Sequence, residues 1–321
     1  MNKLTLFKQP SGSVFLRYAL YIVAAIMFVA MSLLSDDFLT ARNIMNIIRQ
    51  NAFVGMIAIG MTFVIITGGI DLSVGSLIAF GSMCAAFFCT TDSPDRILPV
   101  PVVILIGLAA SMLIGLVNGL LITKGRVAPF IATLGTMTIT RGLELLINDG
   151  RQIIHLTDEY CAMGQGFVGR LPIPIIVYVA IILIGFLVLH FTKFGRHVYA
   201  VGGNINAAKA SGIKADRVII AVYVMVAAFA GISGMVLSAR LGSASPISGN
   251  GYDMDAIAAV VIGGTSLSGG VGTIVGTIIG TFILGIITNG LDLLNVSAYY
   301  QQVIKGLIII AAVLLDSRSK K

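Results

Sequence analysis

An all-α polytopic membrane fold of about ten transmembrane helices is what the chain predicts, on three observations. Of its 321 residues 57% are hydrophobic and 11% charged; several uncharged runs are long enough to cross a bilayer; and two apolar segments are interrupted by glycine pairs. A soluble domain carries roughly 25% charged residues, and the mean hydropathy of +0.99 points the same way. The runs at 18–34, 98–123, 171–192 and 218–239 approach or exceed the roughly 20 residues that cover about 30 Å of hydrocarbon. They read as helices, because lipid leaves no partner for an open backbone group and the alternation of a membrane barrel is missing. The chain is read as a single transmembrane domain over 1–321.

Taken in order, the predicted spans are 16–34, 53–69, 73–90, 98–123, 127–147, 171–192, 218–239, 254–268, 271–291 and 298–315. Lys3, Lys8 and Arg17 precede the apolar run 18–34, which is long and lacks a clear small-residue cleavage site, so it reads as the first span and not as a cleaved signal peptide. With the N-terminus cytoplasmic, Lys124 and Arg126, the loop 193–217 and the tail with Arg318, Lys320 and Lys321 all fall inside, as the positive-inside rule asks. Both termini are then cytoplasmic. Arg42 and Arg49 fall outside, on a stretch where Ile44, Ile47 and Ile48 recur at helical spacing, read as a separate interfacial amphipathic helix. The net charge of +7 belongs to these loops, and no nucleic-acid motif accompanies it. Cys84, Cys89 and Cys161 have no metal-ligand spacing to any of the three histidines, so neither a disulfide nor a zinc site is expected. No group bound by this chain as a cofactor is expected.

The second and eighth spans are short and end in glycine pairs, which marks them as candidate broken helices. Gly68-Gly69-Ile70-Asp71-Leu72-Ser73-Val74-Gly75 shares a G-G-x-x-L-S-x-G frame with Gly263-Gly264-Thr265-Ser266-Leu267-Ser268-Gly269-Gly270. Asn118-Gly119-Leu120 and Asn289-Gly290-Leu291 form a shorter echo. Glycine-interrupted segments in two halves point to an internally duplicated transporter with a central site, although glycine-rich frames also recur by chance in a chain with 37 glycines. Asp71 is the one acidic or basic side chain between 53 and 88. A charge at mid-bilayer costs about 2.5–3.5 kcal/mol, so it marks either a transport path or a cap at the start of the third span. Freed backbone groups together with Asp71, Ser73, Thr265, Ser266 and Ser268 suit a polyhydroxylated solute. Asn118 and Asp255 complete the candidate substrate pathway. Asp253 and Asp255 read first as caps of the eighth span, and Arg141 with Glu144 as a structural ion pair.

The loop 193–217 holds Lys193, Arg196, Lys209, Lys214 and Arg217 against the single acid Asp216. Within it Asn204 caps a short helix from Ile205, Ala207, Ala208 and Ala210 favour it, and Gly212 ends it. Such a helix suits docking on a soluble partner; a solvated basic loop is the plainer alternative.

Three stretches carry a family resemblance over nearly the whole chain. They are the segment from Gly68 to Ser76, the loop from Gly195 to Asn204 continuing through Ala207-Ala208 to Ser211-Gly212-Ile213, and the segment from Asp255 to Leu267. The chain resembles the permease subunits of the ribose/xylose/arabinose/galactose class of bacterial ABC sugar importers, the ribose branch above all. The resemblance implies a permease subunit, not an enzyme, that moves a ribose-like monosaccharide across the bacterial inner membrane. It implies a second permease subunit, identical or paralogous, a periplasmic sugar-binding protein, and a cytoplasmic ATPase with two nucleotide-binding modules carrying ATP-Mg. It also implies ATPase coupling through Arg196, Gly202, Gly203, Asn204, Ala207, Ala208, Ser211 and Gly212. Asp253 stands where the class often has Glu. The main rival is an ion-coupled secondary transporter using Asp71, and both readings fit the absence of a phosphate-binding G-x-x-x-x-G-K-[ST] loop. A membrane enzyme would need a His, Asp or Cys cluster that the sequence does not offer.

Overall fold

The computed structural model describes Ile22 and residues 25–318, so Lys3, Lys8, Arg17, Lys320 and Lys321 lie outside the described residues. Its helices in chain order are α1 (Ala25–Leu34), α2 (Ala41–Ile66), α3 (Val74–Ala86), α4 (Val100–Thr123), α5 (Pro129–Ile147), α6 (Asp158–Gln165) and α7 (Ile173–Phe191). Then come α8 (Lys193–Gly203), α9 (Ile205–Ala210), α10 (Ala215–Leu241), α11 (Tyr252–Ile262), α12 (Ile274–Leu293) and α13 (Ala298–Arg318). Among the described residues six of these, α2, α4, α5, α7, α10 and α12, are long and apolar enough to cross a membrane. Each predicted span coincides at least in part with a helix. However, α3 and α11, at 13 and 11 residues, rise only about 20 and 16 Å and are too short to cross alone.

One expectation fails outright. The stretch with Arg42 and Arg49 is not a separate interfacial helix but the first turns of α2, which runs 26 residues without a break. Nothing interrupts it: Thr40 caps the start by accepting from the Asn43 amide at 3.2 Å, and Asn51 and Ala52 at the expected gap are buried helical residues. Asn43 and Asn289 then exchange a reciprocal pair of amide hydrogen bonds, each 2.9 Å, fastening α2 to α12.

The helices α2 and α10 form the centre. The most apolar stretch of α2 is 78% buried and that of α4 only 22%, which makes α4 a peripheral helix that presents Leu105, Leu113 and Leu120 outward. Hydrocarbon offers no hydrophobic drive between helices, so close backbone approach must supply the attraction. Gly115 and Gly119 on α4 permit it, since a Cβ there would meet the Tyr223 backbone and Ile220 of α10.

Between the predicted spans 127–147 and 171–192 the stretch 148–170 has no predicted element, and a strand occupies the first two residues of the predicted 171–192. Here α6 folds over the Leu241 end of α10, Gln165 donating to the Ala239 and Arg240 carbonyls at 3.3 Å, and a hairpin of two-residue strands, β1 (Phe167–Val168) and β2 (Leu171–Pro172), leads into α7. Single bridges Thr90 to Leu156 and Ile153 to Ala244 stitch this cap to the ends of α3 and α10, over a small core of Cys89, Tyr160 and Met235. The three cysteines are free.

Candidate functional site

The first glycine turn is a helix terminus with a defined geometry. At the end of α2, Gly68 takes φ +80°, its amide bonds to the Ile65 carbonyl at 2.9 Å, and the Gly69 amide reaches back to Val64 at 3.0 Å. This paired pattern is a Schellman motif, and glycine serves because an L side chain is strained at that φ. Asp71 comes next, fully buried, its Oδ1 accepting from the Ser73 amide at 2.9 Å and the Ser73 hydroxyl at 2.6 Å. The expected bond from the Ser73 amide is present, but Ser73 itself is the N-cap of α3 and carries no side-chain cap hydrogen bond, so Asp71 closes the turn ahead of the helix and does not cap it. Its Oδ2 has no hydrogen-bond partner among the described residues.

From Ser73 a chain of side chains runs outward. Asn118 of α4 donates to Ser73 Oγ at 2.9 Å and accepts at Oδ1 from the Thr136 hydroxyl of α5 at 2.6 Å. Tyr223 of α10 donates to the Ile70 carbonyl at 3.3 Å, and Thr133 of α5 makes a long 3.4 Å contact with the same oxygen. Asp71, Ser73 and Asn118 are thus brought together, and all three are closed off from solvent. Thr133, Thr136 and Tyr223 were not singled out from the sequence. Thr133, Thr136, Thr140 and Glu144 recur at helical spacing in an apolar run, a polar stripe that a search for buried polar faces would have found.

The second glycine turn ends α11 in the same way, with Gly264 at φ +84°, its amide on Val261 at 2.9 Å and the Thr265 amide on Val260 at 3.1 Å. The sequence frame pairs Gly68 with Gly263; the backbone pairs Gly68 with Gly264, one residue on. The segment after Thr265 is held mainly by backbone: the Ser266 amide bonds to Val271 at 3.0 Å, and Gly269 and Gly270 both take positive φ. Ser266 and Ser268 hydroxyls lie 3.2 Å apart, and Thr265 Oγ1 is buried without a hydrogen-bond partner among the described residues. Asp255 joins neither turn; it pairs with Lys305 of α13 at 2.8 Å and so ties α11 to α13. The seven pathway residues fall into three groups, not one. Arg141 and Glu144 do pair, at 3.0 Å, and Arg141 also donates to the Pro246 carbonyl at 2.8 Å, binding α5 to the segment before α11.

The two turns meet. The Gly270 amide bonds to the Ile66 carbonyl at 2.9 Å, and Gly202, near the end of α8, packs so closely that a Cβ would overlap that same carbonyl. Tyr199, one helical turn earlier, donates to the Gly272 carbonyl at 2.7 Å. Thr192 caps α8 by accepting from the Gly195 amide at 3.1 Å; this helix was not foreseen. The short helix after it was: Asn204 Oδ1 accepts from the Asn206 and Ala207 amides, each at 3.0 Å, and Gly212 at φ +81° ends α9. Of the proposed coupling residues Arg196, Gly203, Asn204, Ala207, Ser211 and Gly212 are exposed, Gly202 is half-buried and Ala208 is buried. Among the described residues no three His, Cys, Asp or Glu side chains gather as a metal would need.

Comparison with known proteins agrees with a membrane transport component. The family model described as branched-chain amino acid transport system / permease component matches residues 43–313. The ribose import permease protein of Bacillus subtilis (strain 168) is 48% identical over 91% of this chain and 90% of its own length. That of Escherichia coli (strain K12) is 41% identical over 93% of each. The galactose/methyl galactoside import permease protein of Haemophilus influenzae is 38% identical over 97% of this chain and 96% of its own. No solved structure matches.

Proposed function

Because the chain belongs to the family described as branched-chain amino acid transport system / permease component, and is therefore a multi-pass membrane permease subunit, we propose that it carries a ribose-like monosaccharide inward across the bacterial inner membrane. In this reading ten spans cross the bilayer, α3 and α11 being the short limbs of broken helices that arose by internal duplication, and both termini are cytoplasmic. Two copies line the pathway, with a paralogue as the alternative second subunit. A periplasmic binding protein delivers the sugar, and a cytoplasmic ATPase with two nucleotide-binding modules holds ATP-Mg and supplies the work. The relatives named as ribose import permeases support the solute and do not favour the ion-coupled alternative.

The observation that carries the mechanism is the junction at the Ile66 carbonyl, where α8 touches the ends of both glycine turns. Closure of the ATPases on the exposed face of α9 displaces α8 with it, and α8 cannot move without shifting Gly270 and the end of α2. A packed, discrete contact of this kind converts a small shift into a switch between two arrangements. Asp71 then acts at one remove: through Ser73, Asn118 and Thr136 it fixes how α5 stands against the turn, and the cluster opens toward the solute when α5 moves.

The test is reconstitution with the ATPase and the binding protein. Ribose-loaded binding protein should raise ATP hydrolysis severalfold over the empty protein, while transport by the chain alone under an ion gradient would overturn the reading. Gly203 is the clean position for probing the dock, because a Cβ there meets nothing within 4 Å. Gly203→Phe should leave the melting temperature unchanged and abolish co-purification of the ATPase. Ala208 is unsuited to the same experiment, since its burial makes any bulky residue a packing change.

A further inference from the structure

Where α4 ends and α10 begins, a shallow cavity of about 460 Å³ is lined by Lys124, Lys209, Lys214 and Arg217, with Asp216 as its single acid. Lys124 comes directly after the last residue of α4 and Lys214 precedes the first of α10, both helices long and apolar enough to span a membrane. The cavity therefore sits at headgroup depth. Asp216 takes Lys124 at 2.7 Å and stands 4.0 Å from Lys209, so the floor is organised around one carboxylate. Four cations against that one acid leave a positive excess, and Lys214 and Arg217 form no ion pair among the described residues. Scattered cations at a membrane face would satisfy topology alone. Convergence on a concavity is more than topology requires. Directly beside it the last turns of α4 present Leu116, Val117, Leu120 and Leu121 outward, an apolar track running away from the charges.

We infer that this cavity holds the headgroup of an anionic phospholipid, its phosphate against Lys214 and Arg217 and its acyl chains along the outward leucines of α4. Basic pockets between spanning helices bind such headgroups, each cation near the surface contributing through attraction to the negative phosphate. The apolar track selects a lipid over a soluble anion, which has nothing to place there. The inference requires that α4 and α10 cross the bilayer and, because Lys209 and Gly212 also belong to the proposed ATPase dock, that the ATPase leaves Lys214 and Arg217 open to lipid; it does not depend on the sugar.

The experiment is native mass spectrometry of the purified chain exchanged into mixed micelles of phosphatidylglycerol and phosphatidylcholine, with the double variant Lys214→Gln, Arg217→Gln beside it. The unaltered chain should retain phosphatidylglycerol in preference. The double variant should bind it about thirtyfold more weakly, the loss expected for two surface cations. Neither side chain is ion-paired among the described residues, so the variant's melting temperature in phosphatidylcholine should not change; should it fall, Lys214→Gln alone serves, with an expected loss of about fivefold. Undiminished retention by the variants, or no preference in the unaltered chain, overturns the inference. Inorganic phosphate displacing the lipid at equal concentration would assign the cavity to a soluble anion, and displacement by the ATPase subunit would make it a protein dock; either result overturns it too.

Discussion

At Thr67–Gly69 and at Gly263–Thr265 the chain leaves a helix through the same pair of backbone hydrogen bonds, yet the residues beyond are secured by different means. After the first turn a side-chain network takes over, from Asp71 through Ser73 and Asn118 to Thr136, reaching α4 and α5. After the second the contacts are mostly main chain: Ser266 to Val271, Gly270 to Ile66, and Gly272 to the Tyr199 hydroxyl. A side-chain network fixes a turn to its neighbours and resists displacement. Backbone contacts that depend on glycine allow close approach and let the second turn lie against α8. The contrast amounts to a division of labour: the first turn anchors the pathway helices, and the second receives motion from the 193–217 segment.

Substitutions matched across the two turns put this division under strain. The largest effect is expected at Gly270, where φ is +76° and a Cβ would lie 3.1 Å from the Gly203 Cα. Gly270→Val should cost about 3 kcal/mol in denaturant titrations in detergent, from strain at a left-handed position and loss of the seat beside Ile66. Next comes the first turn's network: Asn118→Leu leaves the Ser73 and Thr136 hydroxyls buried with one partner fewer and should cost about 2 kcal/mol. Smaller, and equal at the two sites, is the effect of alanine at the shared left-handed position. A Cβ at Gly68 meets nothing within 4 Å, so backbone strain alone sets the loss. Gly68→Ala and Gly264→Ala should each cost about 1 kcal/mol; a difference above that size would show that the two termini are not equivalent. Smallest of all is Thr265→Val, which replaces a buried hydroxyl that has no partner among the described residues by a methyl of nearly the same shape and should change stability by less than about 0.5 kcal/mol.

Local signals in the sequence read through to the structure where a single residue carries them. Asn204 caps α9 and Gly212 ends it because capping is a contact among neighbours in the chain. The glycine frame found both turns, but its letter-for-letter alignment is out by one residue, since Thr67 and Gly263 fill the same position before the left-handed glycine. Letters repeated; the conformation repeated one step away. The echo of Asn118 and Asn289 marks two amides that each tie helices together, one to Ser73 and the other to Asn43. What was not legible is what depends on distant partners. Arg42 and Arg49 suggested a surface helix, and only the joining of Asn43 to α12 and the burial of Asn51 show why α2 continues through them. Asp255 read as a cap, and its partner Lys305 lies on another helix. Gly202 stood in a recognised stretch, but nothing in its neighbours placed it on the Ile66 carbonyl.

That contact is also where the proposed coupling is most easily broken. The measurement to make is sugar taken up per ATP hydrolysed in the reconstituted assembly carrying Gly202→Ala, whose added methyl would overlap the Ile66 carbonyl and push α8 off both turns. Basal hydrolysis should persist while uptake per ATP falls by about tenfold or more, a loss of some 1.4 kcal/mol in coupling. An unchanged ratio of uptake to hydrolysis would contradict the claim that motion reaches the pathway through this junction.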